Sequence, residues 1–276
     1  MLGLSGFACT GNGYFAQRVG LAEPECAAYD FRCNDFAALS LGALLLSAEQ
    51  LTVPGAFLWL NGTNGFSDNQ GAVVWRDSSG NGFDFAGSGV GISQEFLNGR
   101  PLISAQGEGT LIRNVDASTS GFASDTVTIY VLQRQSGTKT DTTLFNWTIP
   151  PDRINVHLSF GDVLYFDYGD TLAGGRISVG QPAGWDDVFH LVELHRDGTA
   201  GEITVDGATV LAATFSDALT LSGTNTFFLL AKKIEEHRFS GEIAEIIVYS
   251  RALTNNERGA VRCGLGVKYA LAITGC

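Results

Sequence analysis

FSGEIAEIIVYSRALTNNER, residues 239–258, reads as a strand, a turn and a helix start in one continuous stretch. In its first half one alternate set is Ala244, Ile246 and Val248, and the other is Ile243, Ile247 and Tyr249. A strand apolar on both sides is central and covered on each face. Glu242 and Glu245, three apart on an extended chain, are expected on opposite faces and so cannot act together. Thr254 and Glu257 then have the spacing of a capping box, in which hydroxyl and carboxylate each satisfy an orphan backbone N–H. Val261, Leu265 and Lys268/Tyr269 recur at helical spacing, which predicts a helix over about 255–270. Gly264 and Gly266 weaken it, so packing has to hold it in place.

The rest of the chain has the same character from Gly55 onward. GAFLWL, VTIYVLQRQ, TTLFNWTI, INVHLSF, VLYFDYG, RISVG, HLVELHRDG, EITVDGATVLAATF and NTFFLLAKK are strand-length runs separated by Gly, Asn, Asp and Ser. With 45% hydrophobic residues, 35 Gly and 6 Pro, the chain has the composition of an all-β protein with many glycine turns. Its 276 residues allow one large domain or two small ones. The one composition shift falls near TVPG, Thr52–Gly55. Before it, Asn34-Asp35 offers a helix N-cap ahead of Phe36, Leu39, Ala43 and Leu46, which predicts a short amphipathic helix for packing or docking.

Twenty-nine acidic residues against 17 basic ones give a net charge of −12. With no Lys/Arg cluster, a phosphate backbone would be repelled, which argues against nucleic acid as a partner. The nearest approach to a membrane span, Phe36–Ala48, falls short of the roughly 18 apolar residues required. It also lacks the short basic start of a signal peptide. The cysteines are Cys9, Cys26, Cys33, Cys263 and Cys276. Their odd number and their spacings match neither a secreted disulfide framework nor a zinc site, so free thiols are expected. A Cys26–Cys33 pair or a terminal staple is the alternative.

Catalytic patterns are scarce. Asp186 and Asp187 precede His190 in a turn-like setting, and His157, His190, His195 and His237 show no metal-ligand spacing. No GxSxG, phosphate loop or paired-acid strand motif is present. Asp77-Ser-Ser-Gly-Asn81-Gly82, between Trp75 and Phe83, reads as a turn built on left-handed Asn-Gly and an Asp acceptor, with Asp77 and Asn81 as the oxygens to test for Ca²⁺. Trp147 and Trp185 lie near turns and are the ring faces to test for sugar stacking; the bland reading of each is a core indole with a bonded N–H. Asn61 and Asn146 sit in N-glycosylation sequons, relevant if the chain is secreted by a eukaryote.

Six segments taken together, LWL (58–60), WRDSSGNGFDF (75–85), NGRP (98–101), FHLVELHRDG (189–198), ITVDG (203–207) and the stretch quoted first, resemble the laminin-G-like, concanavalin-A-like domains over about residues 55–270. The resemblance implies an all-β, two-sheet antiparallel jelly-roll sandwich ending in a C-terminal helix, with HRDG…ITVDG as a hairpin. It also implies glycan or protein binding through rim loops, often beside a Ca²⁺, for which Asp77 and Asn81 stand in the expected place. The paired acids of the catalytic members of the wider superfamily are missing. Such domains also occur on bacteriophage and other virions. The expected organisation is therefore an arm over residues 1–54, with its short helix, attached to other virion or assembly proteins, and a sandwich over 55–276. The expected function is a non-enzymatic virion surface protein, capsid decoration or tail-associated, oligomeric or part of a larger assembly. The alternatives are a cellular or secreted carbohydrate-binding module and, behind it, a glycan-active enzyme.

Overall fold

The computed structural model describes residues 51, 53–116, 125–136, 141–220, 223–233 and 236–276. The helix expected from Phe36, the arm, and Cys9, Cys26 and Cys33 lie outside the described residues. The strands are β1 (Leu58–Asn61), β2 (Phe66–Asn69), β3 (Ala72–Trp75), β4 (Phe85–Leu97), β5 (Arg100–Asp116), β6 (Thr126–Gln135), β7 (Asp141–Thr142), β8 (Phe145–Ile149) and β9 (Asp152–His157). They continue with β10 (Ser159–Phe160), β11 (Val163–Gly169), β12 (Arg176–Gly180), β13 (Phe189–Asp197), β14 (Ala200–Val205), β15 (Ala208–Thr214), β16 (Thr224–Leu229) and β17 (Ser240–Tyr249). The helix, α1, spans Asn255–Tyr269.

Hydrogen bonding runs without a break in the order β12-β11-β9-β8-β16-β5-β17-β6-β13-β14-β15. The ribbon makes two layers because β5 belongs to both. Its first half pairs with β17, Ile103 opposite Ile243, and its second half pairs with β16, Leu111 opposite Leu229. β4 follows it around the same corner, with a register shift between Ser88 and Val90. Glycine makes that bend possible. Gly89 has φ +72°, and a Cβ there would stand 2.5 Å from the Glu108 carbonyl oxygen. The hairpins follow the turn chemistry read in the sequence. Asn98-Gly99, with φ +50° and +74°, joins β4 to β5, and Asp206-Gly207, with φ +49° and +84°, joins β14 to β15. The HRDG…ITVDG hairpin is β13–β14.

The inner faces of the layers share one core. Ile129, Val131, Val192 and Leu194 come from the first layer, built on β17, β6, β13, β14 and β15, and Trp147, Val156, Phe166 and Phe227 from the second, built on β16, β8, β9, β11 and β12. Phe227 meets Phe85 edge-on at 5.3 Å and stacks on Trp147 at 6.0 Å. Toward β12 and β15 the space is closed by Arg196, buried between Phe215 (4.5 Å) and Tyr168 (5.3 Å). Its guanidinium donates to the carbonyls of Tyr168, Asp217 and Gly198.

β17 is buried along its whole length, as its two apolar faces require. Its alternation differs from simple periodicity. The register against β6 shifts between Ile243 and Glu245. A bulge of this kind places one extra residue, Ala244, and inverts the parity of everything before it. Ile243 thus joins Ile246 and Val248 in the core. Glu242 and Glu245, expected on opposite faces, share the outer one, yet they form no acid pair. Glu242 pairs with Arg134 at 3.2 Å. Glu245 lies under α1, where it accepts from Trp59 Nε1 (2.5 Å), Lys268 Nζ (2.7 Å) and the Tyr269 hydroxyl (2.8 Å).

The helix starts at the expected capping box, with Thr254 and Glu257 each satisfying the other's backbone N–H. Val261, Leu265 and Tyr269 are buried against the outer face of the first layer. The same face also carries charge. Glu193 of β13 is paired with Arg258 and, at 2.9 Å, with Arg262, and Arg258 bonds Glu202 of β14 at 2.5 Å. After the helix the chain turns back, with Thr274 N donating to the Asp206 carbonyl at 2.8 Å, and Cys276 is disulfide-bonded to Cys263. The free-thiol expectation is corrected for this pair: the tail returns to the helix and brings the two Cα atoms to 5.3 Å, within bridging range. A loop of this length stabilises by about 3 kcal/mol in the chain-entropy account.

Glu193 is the shared counter-charge, so Glu193→Ala takes the carboxylate partner from Arg262 and leaves the buried Arg258 with Glu202 alone. The expected loss, read from urea unfolding, is about 3 kcal/mol, because one carboxylate still answers the buried guanidinium.

Candidate functional site

The Asp77 loop is a closed turn. Asp77 Oδ1 accepts from Trp59 N (2.9 Å) and Ser79 N (2.9 Å), and Oδ2 accepts from Ser79 Oγ (2.6 Å) and Phe83 N (3.1 Å). Asn81 turns its amide nitrogen to the carbonyls of Ala56 (3.0 Å) and Phe57 (2.9 Å). Both carboxylate oxygens already face protein donors, so this donor set does not fit Ca²⁺, which needs those lone pairs. No cluster of three or more metal-ligating side chains occurs among the described residues.

Trp147 and Trp185 do not present a face to a sugar. Both are buried: Trp147 in the Phe227 stack, and Trp185 parallel to His190 at 4.7 Å. In FNWTI, Trp147 shares the inward parity of Phe145, and burial of the largest side chains in the layer gap follows. The sequon asparagines are likewise engaged: Asn61 Oδ1 accepts from Thr63 N and Asn64 N, and Asn146 Nδ2 donates to the Lys232 carbonyl.

The polar face lies on the outside of the second layer. Registers place Ile112 (β5), Phe228 (β16), Asn146 (β8), Asn155 (β9), Asp167 (β11) and Arg176 (β12) side by side in one row across the strands. At the usual strand spacing this row runs roughly 24 Å. Its β5 end is apolar, with Ile112 39% exposed and Phe228 half-buried. Its β12 end is polar. Asp167 is fully buried beneath two half-buried arginines. Arg153 Nε donates to Asp167 Oδ2 (2.8 Å), and Arg176 reaches Oδ1 through Nε (2.5 Å) and Oδ2 through Nη2 (2.9 Å). This bonding to Asp167 raises the Arg176 pKa. The Arg176 guanidinium also covers the Tyr165 ring at 4.6 Å.

His157 stands next to this group. Its Nδ1 faces the Thr142 carbonyl (3.2 Å) and the Thr143 hydroxyl (2.9 Å), and Phe160 packs on the ring at 4.9 Å. A carbonyl only accepts, so Nδ1 carries the proton and Nε2 accepts from Asn155 Nδ2 at 2.7 Å. The same Nδ2 lies 3.3 Å from Asp167 Oδ2, which leaves Asn155 Oδ1 buried with no donor. Burial lowers the His157 pKa to about 4, against the pull of Asp167, so the ring is neutral at physiological pH.

The row was readable in principle. FNWTI, RINVH and VLYFDY each alternate, and the polar or aromatic members Asn146, Arg153, Asn155, His157, Tyr165 and Asp167 fall opposite the core members. The tryptophans do not mark it, because the signal is a parity shared by three separate strands.

No family profile matches the chain, and no curated protein matches it in sequence. Similar solved structures include domain 4 of AbnA, a GH43 extracellular arabinanase from Geobacillus stearothermophilus, in complex with arabinotriose. It has a TM-score of 0.50 and 16% identity, over 75% of this chain and 97% of that one. The binding domain of botulinum neurotoxin DC in complex with SialylT gives 0.54 and 11%, over 76% of this chain and 52% of that one. Trypanosoma rangeli sialidase gives 0.54 and 17%, over 79% of this chain and 34% of that one. The chain thus spans about half the toxin binding domain and a third of the sialidase. At these identities the likeness establishes the sandwich fold.

Two outcomes follow from the geometry. Asp77→Ala strands several turn donors and is expected to cost about 2–3 kcal/mol, whereas EDTA leaves the melting temperature of the wild-type protein unchanged. The unfolded chain protonates His157 near its ordinary pKa of about 6.5, the folded chain only near 4. The stability this ring contributes is complete above about pH 6.5 and is lost as pH falls toward 4. The drop in unfolding free energy between pH 7 and 4.5 should be smaller in His157→Gln by an amount of order 2 kcal/mol.

Proposed function

We propose that this protein is a non-enzymatic glycan-binding sandwich that holds an extended oligosaccharide across the outer face of its second layer. The observation that carries the reading is the cross-strand row from Ile112 to Arg176, which offers an apolar platform at one end and, at the other, two partly exposed guanidinium groups held in place by Asp167. Sugars need that combination, a flat apolar contact beside oriented hydrogen-bonding groups. Two of the similar folds were solved with sugars bound, arabinotriose and SialylT, which supports the reading without locating a site on this chain. Against hydrolysis stands the chemistry of the face. Its buried carboxylate, Asp167, is held by two guanidiniums, whereas a glycosidase needs two carboxyl groups free to exchange protons or attack.

In this reading the sandwich is displayed on a virion surface through residues 1–54, as a capsid decoration or tail-associated protein. The Cys263–Cys276 bridge supports a setting outside a reducing cytoplasm. The same bridge supports the second reading, a secreted or cell-surface carbohydrate-binding module. Size-exclusion chromatography of the full chain separates them: assembly into a larger particle favours display, and a monomer that binds glycan favours the module.

The function itself is tested on an immobilised glycan panel. The wild-type chain is expected to bind at least one extended oligosaccharide, equally well with calcium or EDTA. Phe228→Ala and Ile112→Ala are each expected to weaken that binding roughly tenfold, on the scale of one lost contact. Binding by neither wild type nor variants, or binding indifferent to both substitutions, removes the reading.

A further inference from the structure

The row has a direction, and its β12 end is built for a charged group. Each of Arg153 and Arg176 turns its Nε/Nη2 edge down onto Asp167, and both side chains remain partly open, at 25% and 34% exposure. The Nη1 edges therefore stay available above a carboxylate that already fixes both forks in place. Two guanidiniums over one carboxylate leave one positive charge in excess. The overall charge of −12 does not cancel it, because screening over about 8–10 Å confines what a bound group feels to its near neighbours. Beside them, Asn155 Oδ1 is buried and lacks a donor, although its own nitrogen holds it in register between His157 and Asp167. A buried acceptor without a donor costs stability unless something supplies one. The oxyacid group and the neighbouring hydroxyl of an acidic sugar together answer both needs, oxygens for the Nη1 edges and an O–H for Oδ1.

We infer that the glycan bound on this face carries an acidic sugar, and that Arg153, Arg176 and Asn155 form its subsite, with the neutral part of the chain running toward Phe228 and Ile112. The inference rests on the glycan-binding reading of the face. Carboxylate and sulfate ester share the chemistry the two forks recognise.

Matched pairs test it with the full-length chain: oligogalacturonate against its methyl ester, sialyllactose against lactose, and a sulfated heparin oligosaccharide against its desulfated form. The expected result is that the wild type binds the acidic member of at least one pair roughly tenfold or more tighter than its neutral partner. That preference should shrink as salt is raised and vanish in Arg176→Gln. This variant keeps Asp167 paired with Arg153, so its unfolding curve should stay cooperative. Arg176→Lys keeps the charge without the fork and is expected to retain part of the preference. The pair that responds tells carboxylate from sulfate. Equal affinity for both members of every bound pair, or a preference that survives in folded Arg176→Gln, overturns the acidic subsite while leaving glycan binding intact. Failure of every sugar to bind the wild type removes the glycan reading and this inference together.

Discussion

The ion pairs that hold α1 on the first layer decide which outer face of the sandwich the helix occupies. Glu193 is almost fully buried and answers both Arg258 and Arg262, while Glu245 collects Lys268, Tyr269 and Trp59 farther along the helix. A buried pair of this kind adds little net stability compared with apolar packing, but losing one partner is expensive. Its effect is positional. A short amphipathic helix interrupted by Gly264 and Gly266 has a weak intrinsic preference to form. Salt bridges at both ends and the Cys263–Cys276 closure give it one docking register. One outer face of the sandwich is thereby occupied, and no helix among the described residues covers the other.

Local signals in the sequence were enough for many of the elements, but not for β4 and β5, which no strand-length run had marked. The capping box, the Asn-Gly and Asp-Gly turns and the apolar strand before α1 each depend on neighbours a few residues away, and each appears where those neighbours place it. What escaped depends on non-local pairing. The bulge at Ala244 exists only against the register of β6, and it moved Ile243 into the core and put Glu242 and Glu245 on one face. The Cys263–Cys276 pair depends on a tail that turns back after the helix and bonds to the Asp206 turn. The two-layer arrangement rests on β5 crossing between layers, which no window of sequence reveals.

The same division separates the two candidate sites the sequence pointed to from the polar row across the second layer. Asp77-Ser-Ser-Gly-Asn81-Gly82 has the composition of a metal loop because turns and metal loops want the same small residues and acceptors. The deciding fact is where the carboxylate lone pairs go, and here they go to N–H and O–H donors from the turn and from Trp59. Trp147 and Trp185 illustrate the companion ambiguity. A large ring serves a sugar or a core equally well, and in a strand the parity of its neighbours decides which.

Parity also gives the polar row its meaning. A sheet that only had to close a core would carry exposed, mobile polar groups on its outer face, as strands with one wet side usually do. Here Asp167, Asn155 and His157 are buried or nearly so, bonded to one another and overlaid by two arginines. Such a network is worse for stability than apolar residues of similar size, and worse still with one acceptor left unanswered. On the first layer comparable charges position a helix. On the second, His157 faces Thr142 of β7 and Phe160 of β10, and no helix among the described residues overlies Asp167 and its two arginines.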